Sequence, residues 1–166
     1  MAACLRFTRR VWKSFIDNGG HDARCFPNLS ILNARPGVVE ASLRIEPYNV
    51  NRVGTVHGGL IMSLTDTLGS LAVASHGQYM TGVSTDISTS FVKPAGKPGD
   101  ELRIVATLTA MGKSLAYTRV DFTNPPAGQL VAYGTHTKYV GRSIGHSDDV
   151  KFSPDGEKVI EGKDVD

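Results

Sequence analysis

The feature that most restricts the fold is the segment from His57 to about Ser75, which reads HGGLIMSLTDTLGSLAVAS. It contains no proline, and apolar residues fall on every side of a helical wheel, which is typical of a helix covered on all faces. Its glycines and serines lower helix propensity, but small residues allow a neighbouring sheet to approach closely. We therefore predict a buried helix of about five turns around which a sheet wraps.

The rest of the chain supplies strands for that sheet. From Gly37 to Ile45 the side chains alternate, with Val39, Ala41 and Leu43 on the apolar face, so this segment is a half-buried strand. Further strand-like runs follow at 82–92, 101–111, 115–123 and 129–140, separated by turn-rich stretches. This order predicts an α+β fold in which one curved antiparallel sheet, with its last four strands in meander style, crosses a long helix.

The two ends of the chain differ from this core, which we place at residues 31–141. The first fifteen residues contain three arginines, one lysine and no acidic residue. Within the segment 1–30, they suit either an amphipathic transit peptide or a helix that packs on the domain, so the location is mitochondrial or cytoplasmic. Residues 142–166 are charged and rich in turn residues, and we interpret them as a tail with a short hairpin around 154–156.

Composition excludes several classes of protein. A chain of 166 residues corresponds to about one domain, and its net charge of +2 is spread without a basic stripe, which argues against nucleic-acid binding. No apolar run approaches the ~20 residues that a membrane span needs. Cys4 and Cys25 form neither a CxxC pair nor a disulfide framework, which favours a reducing compartment.

Asp66 is the residue in the helix that most needs a function. Its neighbours on the helical wheel are Met62, Gly69, Ser70 and Val73, so the pattern places a carboxylate among apolar and small residues, where an unpaired charge is costly. Two interpretations stay open: a buried aspartate that bonds to nearby backbone, or a carboxylate with a chemical role.

His57, Gly58 and Gly59 begin the same helix. The first N–H groups of a helix have no intrahelical acceptor, the helix dipole adds partial positive charge, and glycine lets a ligand carbonyl come close. The pattern predicts an oxyanion hole, although glycines also serve a tight bend. His57 is a poor candidate for a metal ligand, because no second ligand lies at suitable spacing in the helix.

Taken together, these motifs resemble a known family. The segment Asn51–Gly59 (NRVGTVHGG), Asp66 on the helix and the stretch 82–86 (GVSTD) are similar to the hotdog-fold thioesterases. The best match is the subgroup of thioesterase superfamily member 2 and the bacterial phenylacetate-pathway thioesterases. The resemblance runs from about Ile31 to Gly141, and it implies an acyl-CoA thioesterase with a hotdog fold, active in lipid metabolism.

By this resemblance, the Gly58 N–H polarises the thioester carbonyl, and Asn51 and His57 shape the hole around it. Asp66 activates or positions the attacking water, and Ser84 holds that water or the carboxylate. The chemistry requires an oxyanion donor and a base for water, and it requires neither a metal nor a cofactor.

The resemblance also implies where coenzyme A lies. The expected contacts lie in the loop 91–96 and the turn 111–114, with Lys138 or Tyr139 beside them. Lysines suit phosphates, although turns commonly carry solvated lysines. The predicted CoA-binding residues are Phe91, Lys93, Pro94, Gly112, Lys113, Ser114, Lys138 and Tyr139.

Other functions fit the sequence less well. Residues 141–145 (GRSIG) match the GxSxG motif of serine hydrolases, but only a charged tail follows, where such an enzyme needs a helix and further triad residues. A hotdog protein that binds acyl-CoA without hydrolysing it is the main alternative, and Asp66 argues against it. A hotdog hydratase would need different residues on the helix.

Helix geometry predicts that the site is shared between two chains. Gly58 and Asp66 are eight residues apart, which corresponds to about 12 Å along a helix. Donor and base must each act within roughly 3 Å of the reacting centre. We therefore expect a homo-oligomer, either a dimer or a dimer of dimers, in which Asp66 of one chain faces Gly58 of the other.

Overall fold

A computed structural model describes residues 1–125 and 127–164. It contains a six-stranded antiparallel sheet, a long helix across that sheet, and a separate two-stranded hairpin. The helices are α1 (Ala3–Asp17), α2 (His21–Cys25) and α3 (Gly58–Ala74). The strands are β1 (Ser30–Arg35), β2 (Val38–Arg44), β3 (Val83–Phe91), β4 (Glu101–Met111), β5 (Leu115–Asn124), β6 (Gln129–Tyr139), β7 (Lys151–Phe152) and β8 (Val159–Glu161).

The predicted helix and the five predicted strands are all present, but one strand lies elsewhere than expected. The sheet order is β1-β2-β4-β5-β6-β3, so only β4, β5 and β6 form a meander. β3 pairs with β6, with Ser84 opposite Lys138 and Phe91 opposite Ala132. The meander prediction was wrong for β3, because turn signals predict pairing between neighbours in sequence, whereas β3 pairs with the last strand of the sheet.

The sequence analysis missed β1 because its alternation is interrupted. Only Ile31 and Ala34 are buried in this strand, and the spacing between them is three residues instead of two or four. The pairing with β2 shifts between Ile31 and Asn33, which is the irregularity of a β-bulge. The extra residue breaks the period of two on which the strand prediction depends.

α3 lies very close to the sheet, as its small residues predict. A Cβ on Gly69 would lie 2.6 Å from Thr118 Oγ1 and 2.8 Å from His136 Nδ1. In the reverse sense, a Cβ on Gly134 of β6 would meet the side chain of Thr65. Glycine at these two positions therefore sets the distance between helix and sheet, and the C-terminal half of α3 is buried throughout.

The N-terminal helix and the C-terminal tail pack against each other. The Cys4 N–H donates to Gly156 O over 2.9 Å, and Phe7 contacts the ring of Phe152 edge-on. The guanidinium of Arg10 pairs with Asp148 at 3.0 Å. The short hairpin predicted around residues 154–156 is present as β7 and β8. In the described part of the chain, no helix combines the length and apolar character that crossing a membrane demands.

Candidate active site

The N-terminus of α3 is organised by His57. Its backbone N–H donates to Asn49 O, and its ring Nδ1 accepts the Gly59 N–H, both over 2.9 Å. Among the described residues no acceptor takes the Gly58 N–H. The cap therefore leaves one donor of the first helical turn unused, at the end of the helix where the dipole is positive.

Asn51 organises the loop that leads into this helix. Its Oδ1 accepts the Val53 N–H over 3.0 Å and the Thr55 N–H over 3.3 Å, while its Nδ2 donates to Thr55 Oγ1 over 3.1 Å. A β-bridge between Val50 and Val56 closes the loop. The local fold of this segment follows from one side chain that satisfies several loop groups.

Several predicted residues surround one cavity of about 340 Å³ beside Gly58. The ring of Phe91 lies 3.3 Å from the position that a Cβ on Gly58 would occupy, so it forms a wall next to the free N–H. Asn51, Gly58, Phe91, Lys93 and Pro94 all line this cavity. The structure thus brings together the oxyanion candidate and part of the predicted CoA-binding set.

Asp66 lies away from this cavity and is more exposed than the helical wheel indicates. Its side chain is 49% exposed, and it lines a second cavity of about 390 Å³ together with Met62 and Ile87. Met62 and Ser70 line this cavity as the helical wheel indicates, but the expectation of a buried aspartate was wrong for this single chain. One face of α3, which we call the exposed stripe (Gly59, Met62 and Asp66), remains accessible among the described residues.

Behind Asp66 lies a cluster of polar side chains, of which His136 and Lys138 are buried. His136 is 1% exposed, and its Nε2 lies 2.9 Å from Ser84 Oγ. The Ser84 hydroxyl donates to Asp66 Oδ1 over 3.4 Å. Lys138 Nζ donates to Ser70 Oγ over 2.8 Å and lies 4.0 Å from Asp66 Oδ1. The carboxylate therefore has solvent on one side and a histidine, a serine and a lysine on the other.

The protonation states in this cluster follow from burial. Burial lowers the pKa of His136 to about 4, and the positive charge of Lys138 adds to the effect. The imidazole is then neutral near pH 7, and a Ser84 hydroxyl that donates to Asp66 accepts from His136 Nε2–H. Burial also lowers the pKa of Lys138, while the carboxylate of Asp66 opposes that change.

The sequence analysis missed His136 and placed Lys138 elsewhere. Lys138 was expected at the CoA phosphates, but it is 3% exposed and its ammonium points to Ser70 and Asp66. The signal that could have found both is the alternation of β6, in which His136 and Lys138 share the inward phase of Ala132 and Gly134. Charged and titratable side chains on the buried face of a strand need partners, and here the partner is Asp66.

The remaining predicted CoA-binding residues lie at the turn between β4 and β5. Gly112, Lys113 and Ser114 are exposed, and Ser114 O accepts the Val140 N–H over 2.8 Å. Tyr139 precedes Val140 and pairs with Leu115. This group adjoins the end of β6 and does not line the cavity beside Gly58.

Two other chemistries, a metal site and a serine nucleophile, have no suitable arrangement of side chains or elements among the described residues. Within the described residues, no group of three or more His, Cys, Asp or Glu side chains is placed to hold a metal ion. The GRSIG segment forms a turn, and over the described residues after it no helix begins. A serine nucleophile elbow requires that helix.

Comparisons with known proteins identify the family of the chain. The sequence profile of the Thioesterase superfamily matches residues 53–131. Acyl-coenzyme A thioesterase 13 of Homo sapiens is 36% identical over 118 residues, covering 71% of this chain and 84% of that protein. The crystal structure of zebrafish thioesterase superfamily member 2 has a TM-score of 0.76 and 32% identity, covering 82% of this chain and 98% of that one. A hypothetical thioesterase protein of Streptococcus pneumoniae TIGR4, solved with coenzyme A, has a TM-score of 0.68 and 28% identity, covering 76% and 94%.

Proposed function

Because the chain belongs to the thioesterase superfamily, with the hotdog fold of its relatives, we propose that it is a thioester hydrolase that converts acyl-CoA to a free acid and CoA. The observation that carries the proposal is the helix α3 itself. It presents an unused N–H at Gly58 and a half-exposed carboxylate at Asp66. These are the two groups that hydrolysis of a thioester requires.

The Gly58 N–H acts on the thioester carbonyl. As water attacks, negative charge develops on the carbonyl oxygen, and a donor already oriented towards that oxygen stabilises the charge without reorganising. His57 contributes by occupying the Gly59 N–H and holding the helix start, and Asn51 contributes by holding the preceding loop. Phe91 limits the space next to Gly58 and so limits how the thioester can approach.

Asp66 acts on the water. Its carboxylate takes a proton from the water as the oxygen attacks the carbonyl carbon, and the tetrahedral intermediate then collapses with release of the CoA sulfur, which receives a proton. Ser84 donates to Oδ1, and neutral His136 holds the serine in that orientation. This arrangement leaves the exposed carboxylate oxygen available to water.

The two groups act together only across two chains. The eight-residue separation along α3 corresponds to about 12 Å, which exceeds the reach of one thioester carbon. We propose a symmetric dimer in which Asp66 of a second copy faces Gly58 of the first, so that each dimer has two equivalent sites. The exposed stripe supports this arrangement because it carries Asp66 on a face of α3 that the described residues leave accessible. A dimer of such dimers is the larger assembly that fits.

The CoA portion extends from the cavity beside Gly58. Lys93 and Pro94 line that cavity, and Lys93 can meet a phosphate as a flexible cation. The exposed turn with Lys113 and Ser114, next to Tyr139, offers a second set of contacts. A CoA-bound relative supports the choice of ligand.

Hydrolysis is tested with a panel of acyl-CoAs of different chain length, by following release of the free thiol. We expect turnover with at least one member, and Asp66→Asn should lower kcat by about 100-fold or more, as loss of a general base does. Asp17→Asn is the matched control, because Asp17 forms only an exposed ion pair with Lys13. If no acyl-CoA is hydrolysed although the protein binds them, it is the non-catalytic binding protein instead.

The shared site is tested by mixing two inactive chains. Asn51→Ala and Asp66→Asn chains, expressed together with different tags, form a heterodimer in which one of the two sites has both halves intact. We expect activity near half of wild type per dimer. A verified heterodimer without activity would show that each site belongs to one chain.

For location, we propose the mitochondrion or the cytoplasm, in keeping with a role in lipid metabolism. The arginines of α1 suit import, yet the folded helix uses Arg10 to bind the tail. A fluorescent protein fused to residues 1–15 should enter mitochondria if this segment acts as a transit peptide before it folds. If the fusion protein stays entirely in the cytosol, α1 serves only to pack on the folded domain.

A further inference from the structure

A third cavity, of about 520 Å³, lies on another side of the start of α3. Its lining includes Cys25, His21 and Ser63, which take no part in the proposed hydrolysis. Arg24 and Tyr48 also line it, so a permanent cation faces the same space. The Cys25 side chain is partly exposed, in contrast to Cys4, the other cysteine of the chain.

Hydrogen bonds assign the proton positions in this group. The Ser63 hydroxyl donates to Gly59 O over 2.9 Å, since a carbonyl can only accept. Its oxygen therefore accepts from His21 Nε2, which lies 2.8 Å away. The neutral His21 ring then has its lone pair on Nδ1, and Nδ1 lies 3.6 Å from Cys25 Sγ.

This is the arrangement of an activated nucleophile. A thiol is placed next to a base, and a third group orients the base so that its free nitrogen faces the thiol. The thiolate is the reactive form of cysteine, and His21 is the group that can receive its proton. Helix geometry contributes directly, because His21 and Cys25 are four residues apart on α2 and so share one face.

We propose that Cys25 is an acyl acceptor, which takes an acyl group from a thioester bound in this cavity and becomes S-acylated. The identity of the thioester rests on the function proposed above. His57 and Gly59 line the same cavity, so Cys25 lies near the helix end to which acyl-CoA binds. The guanidinium of Arg24 favours a ligand that carries phosphates, and acyl-CoA is such a ligand.

The transfer is an exchange between two thioesters. The proton of the Cys25 thiol moves to His21 Nδ1, and the sulfur attacks the acyl carbonyl carbon. The bond between that carbon and the CoA sulfur breaks, and the CoA thiolate takes the proton from His21. One thiol and one thioester are consumed and one of each is formed, so no oxidant or further reactant is required.

Cys4 provides an internal comparison within the same chain. It is buried, its Sγ donates to Ser75 O over 3.2 Å, and burial raises the pKa of its thiol to about 12. Among the described residues, the hydrogen bond of the Cys4 thiol goes to a backbone carbonyl and not to an imidazole. The folded protein should therefore be acylated at Cys25 and not at Cys4. The unfolded chain should show no preference between the two cysteines.

The experiment incubates the full chain with octanoyl-CoA and follows intact mass, with peptide mapping of both cysteines. Asp66→Asn is used beside wild type so that the acyl-CoA persists. We expect an increase of one octanoyl group on Cys25, removable by neutral hydroxylamine. His21→Asn should slow this acylation at least ten-fold, and Ser63→Ala should slow it less. His76→Asn, the same substitution at an exposed histidine outside the cavity, should leave the rate unchanged.

Three results would overturn the proposal: no acyl group on Cys25, an acylation rate that His21→Asn leaves unchanged, or equal acylation of Cys4 in the folded protein. Hydrolysis is measured on the same samples, and Cys25→Ser should retain it. If wild type hydrolyses no acyl-CoA yet Cys25 becomes acylated, the proposed hydrolysis fails and this inference stands. Loss of hydrolysis in Cys25→Ser would instead place Cys25 in the hydrolytic site and reject a separate acceptor.

Discussion

The sheet has two edge strands, β1 and β3, which differ in how far the rest of the chain covers them. Both present one row of backbone groups without a partner strand, which is a template for pairing with another chain. The edge at β1, which we call the closed edge, is covered by the same chain. No described segment of the chain covers the edge at β3, which we call the open edge. The open edge is the one at which we propose that a second copy binds.

Three structural features protect the closed edge against pairing with another strand. β1 is short and carries a bulge between Ile31 and Asn33. α1 packs beside it, and the Arg9 guanidinium donates to Ile31 O from two nitrogens, over 3.0 Å and 2.7 Å. Bulges, short strands and a covering helix are the usual means by which proteins prevent edge-to-edge association.

The open edge shows the opposite properties. β3 is nine residues long, none of its residues is buried, and Val83 and Phe91 are exposed hydrophobics. It pairs regularly with β6 from Asp86 to Phe91. The exposed stripe of α3 adjoins it, because Ile87 of β3 lines the same cavity as Met62 and Asp66. The carboxylate of Asp66 and the unprotected edge thus belong to one continuous surface.

The largest effect is expected when the open edge is blocked. Ile87→Lys places a charge on this surface, where lysine opposes strand pairing. We expect the solution mass, measured by light scattering, to fall to that of one chain, with a loss of activity of about 100-fold or more. The matched control is Leu32→Lys on the closed edge, which should change neither. An unchanged mass for Ile87→Lys would place the dimer contact elsewhere.

The next largest effect is expected on stability, when the packing of α1, the helix that covers the closed edge, is weakened. Phe7 of α1 is buried and contacts the rings of Tyr79 and Phe152. Phe7→Ala should lower the free energy of unfolding by about 3–5 kcal/mol, as for other buried phenylalanines. Urea unfolding measures this value. A loss below about 1 kcal/mol would mean that the helix and tail contribute little to stability. Solution mass should remain that of wild type.

A third prediction uses pH to examine the cluster behind the open edge. The pKa of His136 falls from 6.5 to about 4 on folding, so the unfolded chain binds more protons between these values. Stability should therefore decrease as the pH falls from 6.5 to 4, by up to about 3 kcal/mol at ~1.36 kcal/mol per pKa unit. Urea unfolding at constant ionic strength measures the slope. His136→Gln should flatten it, and an equal slope in that variant would assign the effect to other groups.

The smallest effect is expected at the closed edge when the hydrogen bonds from Arg9 to the carbonyl of Ile31 are removed. Arg9→Ala leaves Ile31 O without its charged donor, which should cost about 1–3 kcal/mol in urea unfolding. Lys13→Ala is the control, since its exposed ion pair with Asp17 is worth ~0–1 kcal/mol. If the two variants lose equal stability, Arg9 protects the edge no better than a surface charge does.

Much of the site follows from local patterns in the sequence. The segment 57–75 predicted α3, and the combination of Gly58 at its start with Asp66 further along predicted the two chemical groups. Both inferences depend on the helix alone, because helical rise and capping are set by neighbours in sequence. The same holds for β2, whose alternation gives its buried face without reference to any other element.

Other features depend on which distant segments meet. The bulge hid β1, and pairing with β6 placed β3 at an edge, although nothing in the 82–92 run specifies its partner. His136 and Lys138 became partners of Asp66 only because β6 crosses α3 at a glycine. Cys25 meets His21 through one turn of helix, but Ser63 joins them from α3.

The sequence by itself therefore determined α3, five of the six strands of the large sheet, and the two groups of the helix that carry the proposed chemistry. Only the tertiary structure decided which edge stays open, how far Asp66 is exposed and which buried side chains stand behind it. The physical reason is that periodicity and capping arise from interactions over a few residues. Strand order and the environment of a charge arise from packing between segments far apart in the chain, which no local pattern encodes.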